Sequence, residues 1–180
     1  MHYLDKTERV YQPFLNAGTI EHLNDIQQGT TINERLAARA TCLSLQLRGL
    51  VSSQNTGICY VALLLVIDRQ PQGALPPITD IFDQDTSFAF QRTSTRDRFS
   101  ILYRKDYSVE GTSSLLTDSS GHPVNMLIKM RLPVAYASDD NMGTISNVKS
   151  NALYIITLSN AALTGVKPVV SLNMRLAFQA

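Results

Sequence analysis

The chain has 180 residues and a mass of 19.9 kDa, with 44% hydrophobic and 17% charged residues. That is the length of one ordinary domain, with enough apolar material for a sizeable core, which excludes intrinsic disorder. Sixteen Lys and Arg against fifteen Asp and Glu leave a formal charge of +1, so the chain as a whole is not strongly basic; Arg outnumbers Lys eleven to five, a bias suited to phosphate and carboxylate contacts.

In chain order, the opening MHYLDKTERV mixes two acids with two bases and has no apolar stretch of the secretory kind. Residues 1–30 read as an extension, with a short helix expected over 19–27. Residues 41–51 (TCLSLQLRGLV) alternate Leu43, Leu45 and Leu47 against Cys42, Ser44, Gln46 and Arg48, a half-buried strand. Residues 58–67 (ICYVALLLVI) are apolar on both faces, too short to span a bilayer, and predict a strand covered on both sides. A turn-rich run at 70–77 leads to a one-turn helix expected at 78–82. Alternation returns at 98–109, at 124–132 (Val124, Met126, Ile128 and Met130 against Asn125, Lys129 and Arg131) and at 170–179 (Val170 to Phe178 against Ser171, Asn173, Arg175 and Gln179). Residues 152–158 (ALYIITL) form a second doubly apolar strand. Turn clusters at 52–57, 117–122, 137–143 and 161–168 separate these runs. Evenly spaced strands with almost no helix predict an all-β antiparallel sandwich or barrel.

Catalytic chemistry finds little support. His2, His22 and His122 are scattered over expected loops; His122 in SSGHP is the one catalytic candidate, and an exposed turn residue is its plainer reading. There is no GxGxxG, no GxxxxGK[ST], no CxxC and no HxxxH, so no nucleotide loop or zinc ligand set is expected. Cys42 and Cys59 are expected as buried thiols. Asp80, Asp83 and Asp85 offer oxygen ligands for calcium, against the simpler reading of a solvated loop. Arg92, Arg96, Arg98, Arg104 and Lys105, like Arg35 and Arg39, suit either phosphate binding or ion pairing with the acids among them.

Several fragments occur in an order that resembles one family. Residues 26–51 (IQQGTTINERLAARATCLSLQLRGLV) are similar to the start of the capsid domain in circular, replication-initiator-encoding single-stranded DNA viruses, circovirus-like. The matching positions are Ile26, Gln28, Gly29, Arg35, Arg48 and Gly49; Ala37 stands where a glycine is common. YVALLLVIDRQPQGALPPITDIF (60–82), DRFSILYRKDYSV (97–109), and the runs at 126–140 and 151–160 resemble the later strands, with Arg104 where an acid is common. The resemblance implies a single eight-stranded jelly-roll sandwich over 1–180 with one or two short helices in its loops. It also implies self-assembly into an icosahedral shell of about sixty copies around circular single-stranded DNA. Such proteins begin with an Arg-rich arm; residues 1–30 hold two bases against four acids and do not supply that charge.

The expected function is therefore structural and non-enzymatic, in a virion and, during assembly, the host nucleus or cytoplasm, with no cofactor, metal or membrane partner. Arg35, Arg39 and Arg48 are the expected DNA-facing residues. A jelly-roll carbohydrate- or receptor-binding module is the alternative, disfavoured by the absence of Trp and of clustered aromatics.

Overall fold

The computed structural model describes residues 1–54, 57–111, 121–137, 141–163 and 165–179. Among them nine strands occur: β1 (His2–Tyr11), β2 (Thr19–His22), β3 (Arg39–Gln54), β4 (Gly57–Asp68), β5 (Phe99–Gly111), β6 (His122–Tyr136), β7 (Val148–Ser150), β8 (Ala152–Ser159) and β9 (Lys167–Gln179). One α-helix, α1 (Ile78–Ile81), lies between β4 and β5, with single 3-10 turns at Thr93–Thr95 and Ile145–Asn147. The strands form two antiparallel sheets, ordered β1-β9-β3-β6-β7 and β2-β8-β4-β5.

The pairing defines the jelly roll directly. β4 pairs with β5, β3 with β6, β2 with β8 and β1 with β9, as in one long hairpin. That hairpin is rolled so that β3 also meets β9 and β4 meets β8. Eight strands make the roll, as expected; the three-residue β7 is an addition at the edge of β6. The expected N-terminal extension is corrected here. Residues 1–30 contribute β1 and β2, one strand to each sheet, and 19–22 is strand rather than helix. The expected one-turn helix at 78–82 is present as α1. The turn clusters at 52–57, 117–122, 137–143 and 161–168 fall partly outside the described residues.

Alternation explains the core. Inward residues of β6 and β9, such as Val124, Val134, Leu172, Met174 and Phe178, are buried while their neighbours face out. In β3 a register shift between Cys42 and Ser44 breaks the parity, so Cys42, Leu45 and Leu47 are all buried. Both thiols, Cys42 and Cys59, are free and buried. Every residue of β8 is buried, because the 69–98 connection roofs the outer face of its sheet with Ile78, Ile81, Phe82 and Ala89. The neck of that connection is clamped: Arg98 donates to both carboxylate oxygens of the buried Asp68 (2.9 and 2.8 Å), and the Arg69 N–H to the Arg98 carbonyl (2.9 Å). Where the sheets meet, Lys6 Nζ binds Glu21, Asp25 and the His22 carbonyl at 2.9–3.2 Å, tying β1 to the β2 end of the other sheet.

Candidate nucleic-acid interface

The two sheets differ in charge far more than the chain average suggests. Strands β3, β6, β7 and β9 contain seven Lys or Arg residues and no Asp or Glu. Five of these cations, Arg39, Arg48, Lys129, Arg131 and Arg175, are exposed at outward positions of adjacent strands. The register sets Ser44 opposite Lys129, Gln46 between Leu127 and Arg175, and Arg48 between Asn125 and Asn173. The carboxylates of this sheet, Asp5 and Glu8, lie on the edge strand β1. Arg39 and Arg48 are nine residues apart on β3, which places them about 30 Å from each other along the sheet.

Two recesses shape this face. An open groove of about 570 Å³ is lined by Arg39, Thr41, Arg131, Ser150, Asn151 and Gln179 among others. A smaller one, of about 200 Å³, lies between Asp5, Thr7, Gln46, Arg48, Asn173 and Arg175. At its wall Arg175 makes two parallel bonds to Asp5, both 2.7 Å, with its guanidinium over the Tyr3 ring. The hydrogen bond from Arg175 holds the Asp5 carboxyl below its usual range and raises the arginine in turn. With the Gln46 amide oriented to satisfy both partners, its oxygen accepts from Arg48 Nη2 (3.0 Å) and Nε (3.1 Å), steadying the guanidinium. Such a face offers planar guanidinium and ammonium donors to phosphate oxygens, with exposed Tyr3 and Leu127 as apolar contacts.

Of the expected DNA-facing residues, Arg39 and Arg48 share this surface. Arg35 does not, and that expectation is corrected. It is fully buried: Nε donates to the Ile26 carbonyl (3.1 Å), Nη1 to the Ala37 carbonyl (2.7 Å) and to Gln28 Oε1 (3.0 Å), and the guanidinium lies 4.2 Å from the centre of the Tyr136 ring. A phosphate has no access to it. Sequence reasoning misses Lys129, Arg131 and Arg175 as site residues. They occupy the polar positions of alternating strands, but nothing local says that those strands lie beside β3.

Several of the other candidates are engaged within the fold. Arg98 clamps Asp68; Arg104 donates to the carbonyls of Ser87 and Ala89 and to Asp106; Arg92 Nε donates to the Phe82 carbonyl. Asp83 accepts from the Phe90 N–H, and both Asp85 oxygens accept from the Gly18 N–H. Asp80, Asp83 and Asp85 form no metal-ligand group, nor does any set of three His, Cys, Asp or Glu among the described residues. His2 stacks on Phe178, His22 is buried beside Tyr154, and His122 Nε2 lies 2.7 Å from the Ser108 carbonyl. Among the described residues no helix is long and apolar enough to cross a membrane.

Fold and surface together define a jelly roll with one cationic sheet. The chain belongs to the geminivirus coat protein/nuclear export factor BR1 family, whose model matches residues 3–180. This fits the broad class of single-stranded DNA viruses expected from the sequence fragments; the family named is that of geminiviruses, and the match gives no support to the narrower circovirus-like expectation. The capsid protein of Miscanthus streak virus (isolate 91) is 30% identical over 161 residues, covering 77% of this chain; the chain spans 62% of that relative's length. Two solved structures of infectious bursal disease virus overlap loosely. The Gx strain structure has 9% identity and TM-score 0.34 over 99% of this chain and 32% of its own. The VP2 subviral particle has 10% identity and TM-score 0.32 over 97% and 32%.

Proposed function

We propose that this chain is a structural coat protein that assembles with copies of itself into an icosahedral shell, of about sixty subunits in the simplest closed case, around circular single-stranded DNA. The cationic β1-β9-β3-β6-β7 face is turned toward the genome, and the virion is where the protein acts. The observation that carries this reading is the segregation of charge: four of the five strands in one sheet have no carboxylate, while the net charge of the chain is only +1. Folding alone gives no reason for that asymmetry, whereas a polyanion held against one face does. Family membership supports the coat role, as does the capsid protein among its relatives. The family description also names a nuclear export factor, and the coat reading is preferred because the curated relative is a capsid protein.

The double variant Arg48→Glu, Arg131→Glu tests the interface. Anisotropy titration of the full chain with a single-stranded oligonucleotide is expected to show at least ~10-fold weaker binding at fixed salt. The slope of log K against log[salt] should shrink by about 0.7 for each phosphate that is no longer neutralised. Equal affinity and equal slope in variant and wild type would remove this face from the proposal. Electron microscopy of the wild-type protein with circular single-stranded DNA checks assembly, with uniform closed particles as the expected result.

A further inference from the structure

The smaller recess of the cationic sheet already contains an anionic group of the protein itself. Arg48 of β3, Arg175 of β9 and Asp5 of the edge strand β1 line the same opening. In the register Arg48 stands opposite Asn173 and Gln46 opposite Arg175, so the two arginines are diagonal neighbours on adjacent strands. Both are exposed on the outward face. Diagonal side chains on one face of a sheet start about 7–8 Å apart, close enough for two long guanidiniums to reach one tetrahedral anion.

Asp5 fills the fork of Arg175. Nε donates to Oδ1 and Nη2 to Oδ2, both at 2.7 Å. A guanidinium makes the same parallel pair of bonds to two oxygens of a phosphate. The ion pair is open to water, with the Asp5 and Arg175 side chains 43% and 56% exposed. So open a pair contributes little to folding. β1 is held without it, by backbone pairing with β9 from His2–Phe178 to Tyr11–Val170. The pair is also placed for exchange. Asp5 lies on the sheet edge, where a displaced carboxylate can turn into water. The Tyr3 ring keeps Arg175 in position, with the guanidinium 5.5 Å from its centre.

We infer that this recess is a phosphate subsite of the nucleic-acid face and that Asp5 is its resident competitor, which a backbone phosphate of single-stranded DNA displaces from Arg175. This rests on the reading of the face as the DNA interface and assigns one contact within it. The exchange is bond for bond: Arg175 trades two carboxylate oxygens for two phosphate oxygens, and Asp5 passes to water. Arg48, steadied by Gln46, supplies the second guanidinium. DNA held elsewhere along the face presents its next phosphate to the recess at high effective concentration, which is what overcomes a carboxylate tethered beside the arginine.

A double-mutant cycle on the full chain tests this, with Asp5→Asn, Arg175→Gln and the two combined. Binding of a fluorescent oligothymidylate is followed by anisotropy over a series of salt concentrations. Asp5→Asn is expected to tighten binding at least ~5-fold and to steepen the slope of log K against log[salt] by about 0.7, the mark of one more neutralised phosphate. In the Arg175→Gln background the same change should gain less than ~2-fold and leave the slope alone, because no guanidinium is released. Asp5→Asn should keep the wild-type melting temperature. An equal gain in both backgrounds would show a general charge effect and overturn the subsite. So would a lowered melting temperature with unchanged affinity, which would make Asp5 a tie between β1 and β9 only. Either result leaves the interface reading standing if Arg48→Glu with Arg131→Glu still weakens binding; a wild type that does not bind the oligonucleotide overturns both.

Discussion

At the scale of the residue, Arg35 shows how a cation can be structural. Its guanidinium is out of water, so its charge is tolerable only because carbonyls of Ile26 and Ala37, the Gln28 amide oxygen and the Tyr136 ring surround it. These partners join the approach to β3 with the end of β6, where the Tyr136 hydroxyl in turn donates to the Asn24 carbonyl at 2.7 Å. Arg35→Ala is expected to lose about 3 kcal/mol in urea unfolding, since it strands several buried acceptors at once. The soluble fraction of that variant should keep wild-type oligonucleotide affinity; a specific loss of DNA binding with unchanged stability would contradict the assignment. His22 has the opposite problem. It is buried with Nε2 unpartnered, and burial drives its pKa down to about 4, against the pull of Asp25.

At the scale of the element, the two strands nearest the N-terminus are the hardest to read and the most consequential. β1 does alternate, but its exposed positions hold Asp5, Glu8 and Arg9, and Glu8 sits at positive φ within a register shift. Charge and irregularity of this kind belong to edge strands, which must avoid pairing with stray chains. β2 is four residues long and draws its strand character from β8, with which it shares register from Thr19–Thr157 to His22–Tyr154. Six longer strands are legible because each has a complete inward face, or is apolar throughout. In the middle of the cationic sheet, Gly49 lies where β3 runs against Ser171 of β9. An added Cβ there would collide with the Ser171 carbonyl, a backbone atom that cannot swing aside. Gly49→Ala is therefore expected to cost about 1–3 kcal/mol by overpacking and to shift amide exchange in β3 and β9 first; unchanged stability would show that the strands separate freely at that point.

At the scale of the whole molecule, the roll gathers separate strands into surfaces of distinct charge. Cations from β3, β6 and β9 become one face, while acids are left to the edge strand, the other sheet and the loops. The fold also carries a pH dependence. His22 has a lowered native pKa, so the unfolded chain binds a proton that the folded one refuses between about pH 6.5 and 4. In that window the unfolded state holds more protons, and stability falls as pH falls, by at most about 1.4 kcal/mol per pH unit for this one group. Lys6, Glu21 and Asp25 face it from β1, β2 and the loop after β2, and Tyr154 from β8. Chemical denaturation across pH 4–7 should show this slope, and His22→Gln should flatten it; an equal slope in the variant would place the linked proton elsewhere.

Composition and periodicity by themselves determined an all-β sandwich, six of its strands, which residues of most strands enter the core, and the presence of Arg48 on a polar face. These features are local: alternation along one strand is enough to say which side is buried. Pairing was beyond their reach. That β3 lies between β6 and β9, that residues 1–30 supply a strand to each sheet, that Arg35 is enclosed while Lys129, Arg131 and Arg175 join the cationic face, and that Phe88 meets Tyr60, all depend on contacts between distant segments. Only closure of the roll fixes those contacts, because a strand's own residues specify its two faces but not its neighbours.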